Sequence, residues 1–175
     1  MQRGRHTIRS GFTDTHSFAA PRKYSLDNGD FEKNMKIASL DLMFSTTVTS
    51  GGNQDRVASP AVFFVIATSE AGAIPTTDTF SPDEYDAQLS LRFSDNRQIA
   101  WGLLQGSGGI FQPQIIVDPD HIIPNDIYVN AWSISSGGSA STLANPIAFM
   151  IKMDQVTSSG NEALLYQVKE SISED

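Results

Sequence analysis

The sequence predicts an all-β protein, a sandwich or barrel of short antiparallel strands. Three observations predict it. Residues 85–93 (YDAQLSLRF) alternate without a break, with Tyr85, Ala87, Leu89, Leu91 and Phe93 facing one way and Asp86, Gln88, Ser90 and Arg92 the other. Period two over this length describes a half-buried strand, because a helix would spread the apolar positions around its circumference. Residues 61–68 (AVFFVIAT) form a short apolar run rich in Val, Ile and Phe, which suits a strand buried on both faces. Turn signals recur every 8–20 residues among such segments, the spacing of a sandwich or barrel.

Residues 1–35 show neither the helical nor the strand period. Phe12, Phe18, Tyr24 and Phe31 are scattered through polar sequence, as in an extended arm that anchors an aromatic at intervals. The first strand is predicted over 36–49, where Leu40, Leu42 and Phe44 share a face before β-favouring threonines and Val48. The loop SGGNQDRVASP separates it from the apolar run at 61–68. After the strand at 85–93, SDNR supplies turn residues, and RQIAWGLLQ alternates again through Ile99, Trp101 and Leu103, so the pair reads as a β-hairpin.

GSGG (106–109) interrupts the chain before IFQPQIIVD. Pro113 has no amide donor, which assigns this strand to a sheet edge or a bulge. DIYVNAWSI gives the next strand and SSGGSASTLANP a small-residue loop. PIAFMIKM closes the series with Ile147, Phe149, Ile151 and Met153 on one face. One helix is expected, over 158–175. Ser159 and Glu162 make a capping box, and Leu164, Leu165, Val168 and Ile172 follow at helical spacing. A lone helix of that length is marginal in water and needs a sheet or a neighbouring subunit to dock on.

A chain of 175 residues fits one domain and buries about two-thirds of its unfolded surface. With 39% hydrophobic and 18% charged residues it is neither disordered nor membrane-embedded by composition. No apolar run approaches the roughly 20 residues that span a bilayer, and the basic start MQRGRHTIRS precedes no hydrophobic stretch of a secretory signal. Synthesis in the cytosol is the expectation. The absence of cysteine removes disulfides, thiolate zinc sites and cysteine nucleophiles together. The net charge of −8 is uneven. Residues 1–23 hold Arg3, Arg5, Arg9, Arg22 and Lys23 against Asp14, a balance of +4 that leaves −12 for the rest. A basic segment on an acidic body suggests a surface facing polyanions, although five cations are few beside tails that neutralise many phosphates.

Residues 114–132 (QIIVDPDHIIPNDIYVNAW) concentrate Asp118, Asp120, His121 and Asp126. Asp-Pro and Pro-Asn-Asp are strong turn formers, since Asp and Asn side chains bond nearby amides and Pro presets φ. Ile122 and Ile123 between them suit a buried rung, and the other histidines, His6 and His16, lie in the arm. A turn is therefore expected. The competing readings are a carboxylate calcium site using Asp118, Asp120 or Asp126, whose spacing differs from the twelve-residue EF-hand loop, and acid–base catalysis. GSGG and SSGGSAS lack the following helix and Lys of a phosphate cradle, and no GxSxG or HExxH occurs. Trp101 and Trp132 lie within alternating strands and are expected in the core.

About eight strands with long loops, a weakly basic leading arm, no cysteine and an acidic helical end resemble a viral single jelly-roll capsid protein. The likeness is strongest to small coat proteins of circular single-stranded DNA viruses known largely from environmental sequences. It covers residues 114–175, where VDPDHIIPNDIYVNAW, a glycine-serine loop, NPIAFMIKMDQV and NEALLYQVKESISED resemble the last two strands and terminal helix. The arm departs from the dense Arg/Lys arms of such coats. The resemblance implies a single jelly-roll antiparallel sandwich over 36–157, an extended arm over 1–35 and a short C-terminal helix over 158–175. It implies a structural, non-enzymatic subunit of a small icosahedral shell, found in the virion, with identical subunits and viral nucleic acid as partners. No cofactor, membrane or small-molecule substrate is expected. Arg3, Arg5, Arg9, Arg22 and Lys23 are then candidates for the nucleic-acid-facing surface, and Phe12, Phe18, Leu164, Leu165, Val168 and Ile172 for subunit contact. A trimeric carbohydrate- or receptor-binding fibre head is the alternative. A cupin-like enzyme would need inward histidine ligands that three histidines, two of them in the arm, do not supply.

Overall fold

The computed structural model describes residues 5–13, 21–26, 33–44, 61–74, 96–107, 110–123, 125–134 and 147–157. They are nearly all strand and form two antiparallel sheets. In chain order the strands are β1 (Arg5–Phe12), β2 (Arg22–Ser25), β3 (Lys33–Phe44), β4 (Ala61–Ala67), β5 (Gln98–Ser107), β6 (Ile110–Val117), β7 (Asp126–Ile134) and β8 (Ile147–Thr157). The three-stranded sheet has the order β1-β8-β3 and the five-stranded sheet the order β2-β7-β4-β5-β6. The strand expected over 85–93 and the helix expected over 158–175 lie outside the described residues.

Alternation places one side chain in two against the other sheet. From β8 these are Ile147, Phe149, Ile151 and Met153, and from β7 Ile127, Val129 and Ala131. Ile37, Leu40 and Leu42 of β3 and Val62, Phe64 and Ile66 of β4 belong to the same core. Full burial of such a side chain contributes about 1.5–3 kcal/mol, so this layer dominates the stability. β4 is the middle strand of its sheet, and its other face is also buried. There Phe63, Val65 and Ala67 join Trp101, Trp132 and Ala73 in a second cluster. An apolar run with no polar alternation is what a strand covered on both sides requires.

Two β-bulges adjust the pattern. The register slips at Ala38, between Ile37 opposite Met153 and Ser39 opposite Lys152. It slips again at Ile99, between Gln98 opposite Ala67 and Ala100 opposite Ile66. The second bulge alters a predicted face. Ile99 and Ala100 both belong to the main core, whereas Trp101 belongs to the outer cluster with Leu103 against it. An extra residue shifts every later side chain to the opposite side, and no simple period reveals it.

β5 pairs with β4 on one side and β6 on the other, so the hairpin expected between 85–93 and 97–105 is not the pairing this sheet uses. Alternation identifies a strand but does not name its partner. Among the described residues β6, with Pro113, is an edge strand, where a missing amide costs no ladder bond.

The described parts of residues 1–35 belong to the sheets. β1 pairs with β8 over eight positions and β2 with β7 over four, and β3 begins at Lys33, inside the expected arm. Their weak patterning has a physical cause. Among the described residues each is an edge strand with one ladder, and the inward positions of β1 are filled by His6, Ile8, Ser10 and Phe12, of which two are polar.

Candidate nucleic-acid interface

The register of the three-stranded sheet fixes which side chains share its outer face. Reading across β1, β8 and β3, the outward rows are Arg5–Asp154–Lys36, Thr7–Lys152–Ser39, Arg9–Met150–Asp41 and Gly11–Ala148–Met43. The inward rows between them carry the core, through Met153–Ile37, Ile151–Leu40 and Phe149–Leu42. Arg5 lies 3.5 Å from Asp154 with an 85% exposed side chain. Lys152 donates to Asp41 at 3.1 Å. Lys36 approaches Asp120 at 3.8 Å from the sheet edge, and Arg9 is exposed with no acidic partner among the described residues. Exposed pairs of this kind contribute about 0–1 kcal/mol each.

The cations expected to form one surface are therefore divided. Arg3 lies outside the described residues, and Arg5 and Arg9 share the charged face. Arg22 and Lys23, on the other sheet, go elsewhere. Arg22 reaches across the edge of the sandwich, where its guanidinium sits 4.5 Å from the Phe12 ring centroid and donates to the Gly11 carbonyl at 2.6 Å. It ties β2 to β1. Lys23 points to the outer side of the five-stranded sheet, 2.7 Å from Asp126 and 5.9 Å from the Tyr128 ring. The separation follows from alternation on two different strands, which places neighbours in sequence on opposite faces.

The hydrogen bond from Lys23 to Asp126, aided by their charge attraction, raises the lysine pKa above its ordinary 10.5. A raised lysine stabilises the fold below its unfolded value and loses that effect as pH rises through the folded one. The melting difference between the wild type and Asp126→Asn is thus expected to be constant from neutral pH to about 10.5 and to shrink above it, measured by thermal unfolding across pH. A difference that vanished already near neutral pH would contradict this.

Phe12, expected to contact another subunit, is 2% exposed and packs within its own chain, its ring 5.8 Å from that of Phe149. In-register pairing with Ile147 turns it inward. Phe18, Leu164, Leu165, Val168 and Ile172 lie outside the described residues.

The acidic stretch after β6 is a turn. The Asp118 carboxylate accepts the Asp120 amide at 2.9 Å, an Asx turn, and the Asp118 amide donates to the Ile99 carbonyl at 2.9 Å. His121 Nδ1 stands 4.0 Å from the Asp118 carboxylate. Ile123 then exchanges two backbone hydrogen bonds with Met35 of β3, at 2.8 and 2.9 Å, carrying the chain from one sheet to the other. Asp126 is already engaged by Lys23. Among the described residues no three of His, Asp and Glu gather as a metal ion would need.

Four participants escape sequence reasoning. Lys36 and Lys152 join the charged face only through register. On the outer side of the five-stranded sheet, buried Gln98 and Asn130 anchor a single 3₁₀ turn, Ala71–Ala73. Gln98 donates to the Gly72 carbonyl at 2.9 Å and accepts from the Trp101 indole at 2.7 Å, and Asn130 donates to the Ala73 carbonyl at 3.0 Å. A polar residue inside an apolar strand was the available signal.

No protein-family model matches the chain, and no curated protein is found similar to it.

Proposed function

We propose that the chain is a structural subunit, a single jelly roll that assembles with copies of itself into a small icosahedral shell enclosing nucleic acid. The observation that carries the reading is the set of strand pairs. β1 lies beside β8, β2 beside β7, β4 beside β5, and the stretch after β6 beside β3 through Met35 and Ile123. Three strand pairs and one bridge, first with last and inward across two sheets, support a jelly-roll wrapping, in which β6 pairs in addition with β5. The cross-pairs β8 with β3 and β7 with β4 are those that the same wrapping requires.

A jelly roll serves shells, lectins and enzymes alike, so the step to a shell draws on other support. The likeness of residues 114–175 to small viral coats is one part. The second is that β1, β2 and β6 stand at sheet edges among the described residues, with Ile116 of β6 52% exposed. Strand edges and exposed apolar positions are groups that neighbouring copies would cover. Trp101 and Trp132 are buried, which withdraws them as sugar-stacking platforms and favours the shell over a carbohydrate-binding head. Repetition of weak contacts under closed symmetry would then stabilise the assembly. Negative-stain microscopy of the purified protein tests this: uniform hollow spheres are expected, and a field of monomers or compact trimers would reject the shell.

A further inference from the structure

The two outer faces of the sandwich differ in character. The outer rows of the five-stranded sheet hold Val65, Trp101, Phe63 and Trp132, an apolar and aromatic layer that is itself buried. The outer rows of the three-stranded sheet hold Arg5, Arg9, Lys36 and Lys152 against Asp41 and Asp154. That face carries +2 in a chain of −8, which leaves −10 for all other residues. Asp120, meeting Lys36 from the edge, lowers the local balance to +1 and leaves it still positive.

We propose that this outer face of the three-stranded sheet binds the sugar–phosphate backbone of a single-stranded nucleic acid, through Arg5, Arg9, Lys36 and Lys152. The inference deepens the shell reading and rests on it for the source of the nucleic acid, naming the face turned toward the enclosed strand. Lys152 lies directly across from Thr7, diagonal to both Arg5 and Arg9, so three cations converge within the reach of diagonal neighbours, about 7–8 Å. Arg9 has no acidic partner among the described residues, and the exposed carboxylates of Asp41 and Asp154 hold their cations weakly enough for a phosphate to take their place. The hydroxyls of Thr7 and Ser39 stand in the same row as Lys152 and add neutral donors. Among the described residues β1 is an edge of its sheet, so alternate amides along it point away from β8, and backbone N–H groups are common phosphate donors. Acids placed between the cations would repel a uniformly anionic bilayer, whereas a flexible strand can set its phosphates beside the cations alone. Contacts of this type ignore base identity and depend steeply on salt.

The test is fluorescence anisotropy of a labelled oligothymidylate with unassembled full-length subunits over a range of salt concentrations. Arg9→Gln/Lys152→Gln is expected to weaken binding at least about tenfold at low salt and to reduce the slope of log K against log salt by about 1.4, roughly 0.7 per cation. Arg9→Gln alone, which removes no ion pair with a described residue, is expected to reduce the slope by about 0.7. Lys23→Ala, on the opposite face, is expected to leave binding unchanged. Undiminished binding by both Gln variants, an equal loss with Lys23→Ala, or binding to phosphatidylserine vesicles without binding to the oligonucleotide would overturn the proposal. Microscopy reads the shell separately. Subunits that bind through this face and never close into shells support the inference and reject the shell, whereas subunits that close into shells and never bind overturn the inference alone.

Discussion

Phe149→Ala is expected to destabilise the fold by about 3–5 kcal/mol, the range for truncating a buried phenylalanine. Phe149 is 3% exposed and joins both sheets. Its ring lies 5.8 Å from Phe12 of β1, 6.2 Å edge-on from Tyr24 of β2 and 5.1 Å from Phe64 of β4. Truncation removes three aromatic contacts together with the buried area, and β-strands held in two ladders cannot collapse into the space. Phe149→Leu keeps most of the apolar volume and is expected to cost about 1–2 kcal/mol. Urea unfolding of the two variants measures both values. A Phe149→Ala loss below about 1 kcal/mol would mean that the sheets are not packed through this ring.

Gln98→Leu is expected to cost about 2–4 kcal/mol although it makes the interior more apolar. The side chain is buried, and both ends of its amide are used. Leucine strips the Gly72 carbonyl of its donor and the Trp101 indole of the acceptor it uses. The loss of such a partner from a buried polar group costs about 1–3 kcal/mol. The 3₁₀ turn over Ala71–Ala73 would then be held on the sheet by Asn130 alone of the two amide side chains. A lowered melting temperature with a shift in tryptophan fluorescence is the expected result, and a Gln98→Leu protein as stable as wild type would contradict it.

The elements most readable in the sequence are those whose environment is uniform. β4 is apolar throughout because it is covered on both sides, and β8 alternates from Ile147 to Met153 because one face is core and the other solvent. The Asx turn at Asp118 was equally plain, since Asp-Pro-Asp has few other uses. β1 and β2 were hidden because an edge strand needs only part of the pattern, and His6 and Ser10 occupy inward positions. The face of Trp101 was misassigned because one inserted residue, Ile99, reverses the parity of all that follow. The charged face was only half readable. Arg5 and Arg9 stood out as cations of the leading segment, whereas Lys36 and Lys152 lie 116 positions apart and meet on that face only through the registers β1–β8 and β3–β8. Register is a property of strand pairs, and no single strand encodes it. Phe12, an aromatic in a polar context, carried no sign that the pairing of β1 with β8 turns it into the core of its own chain.

Assembly is read directly from the mass of the purified protein in solution, measured by light scattering after size-exclusion chromatography. Icosahedral symmetry requires about 60 subunits or a multiple, so with a chain of 19.0 kDa a particle of about 1.1 MDa or more is expected. A mass of 19.0 kDa, or of three chains and no larger species, would contradict it.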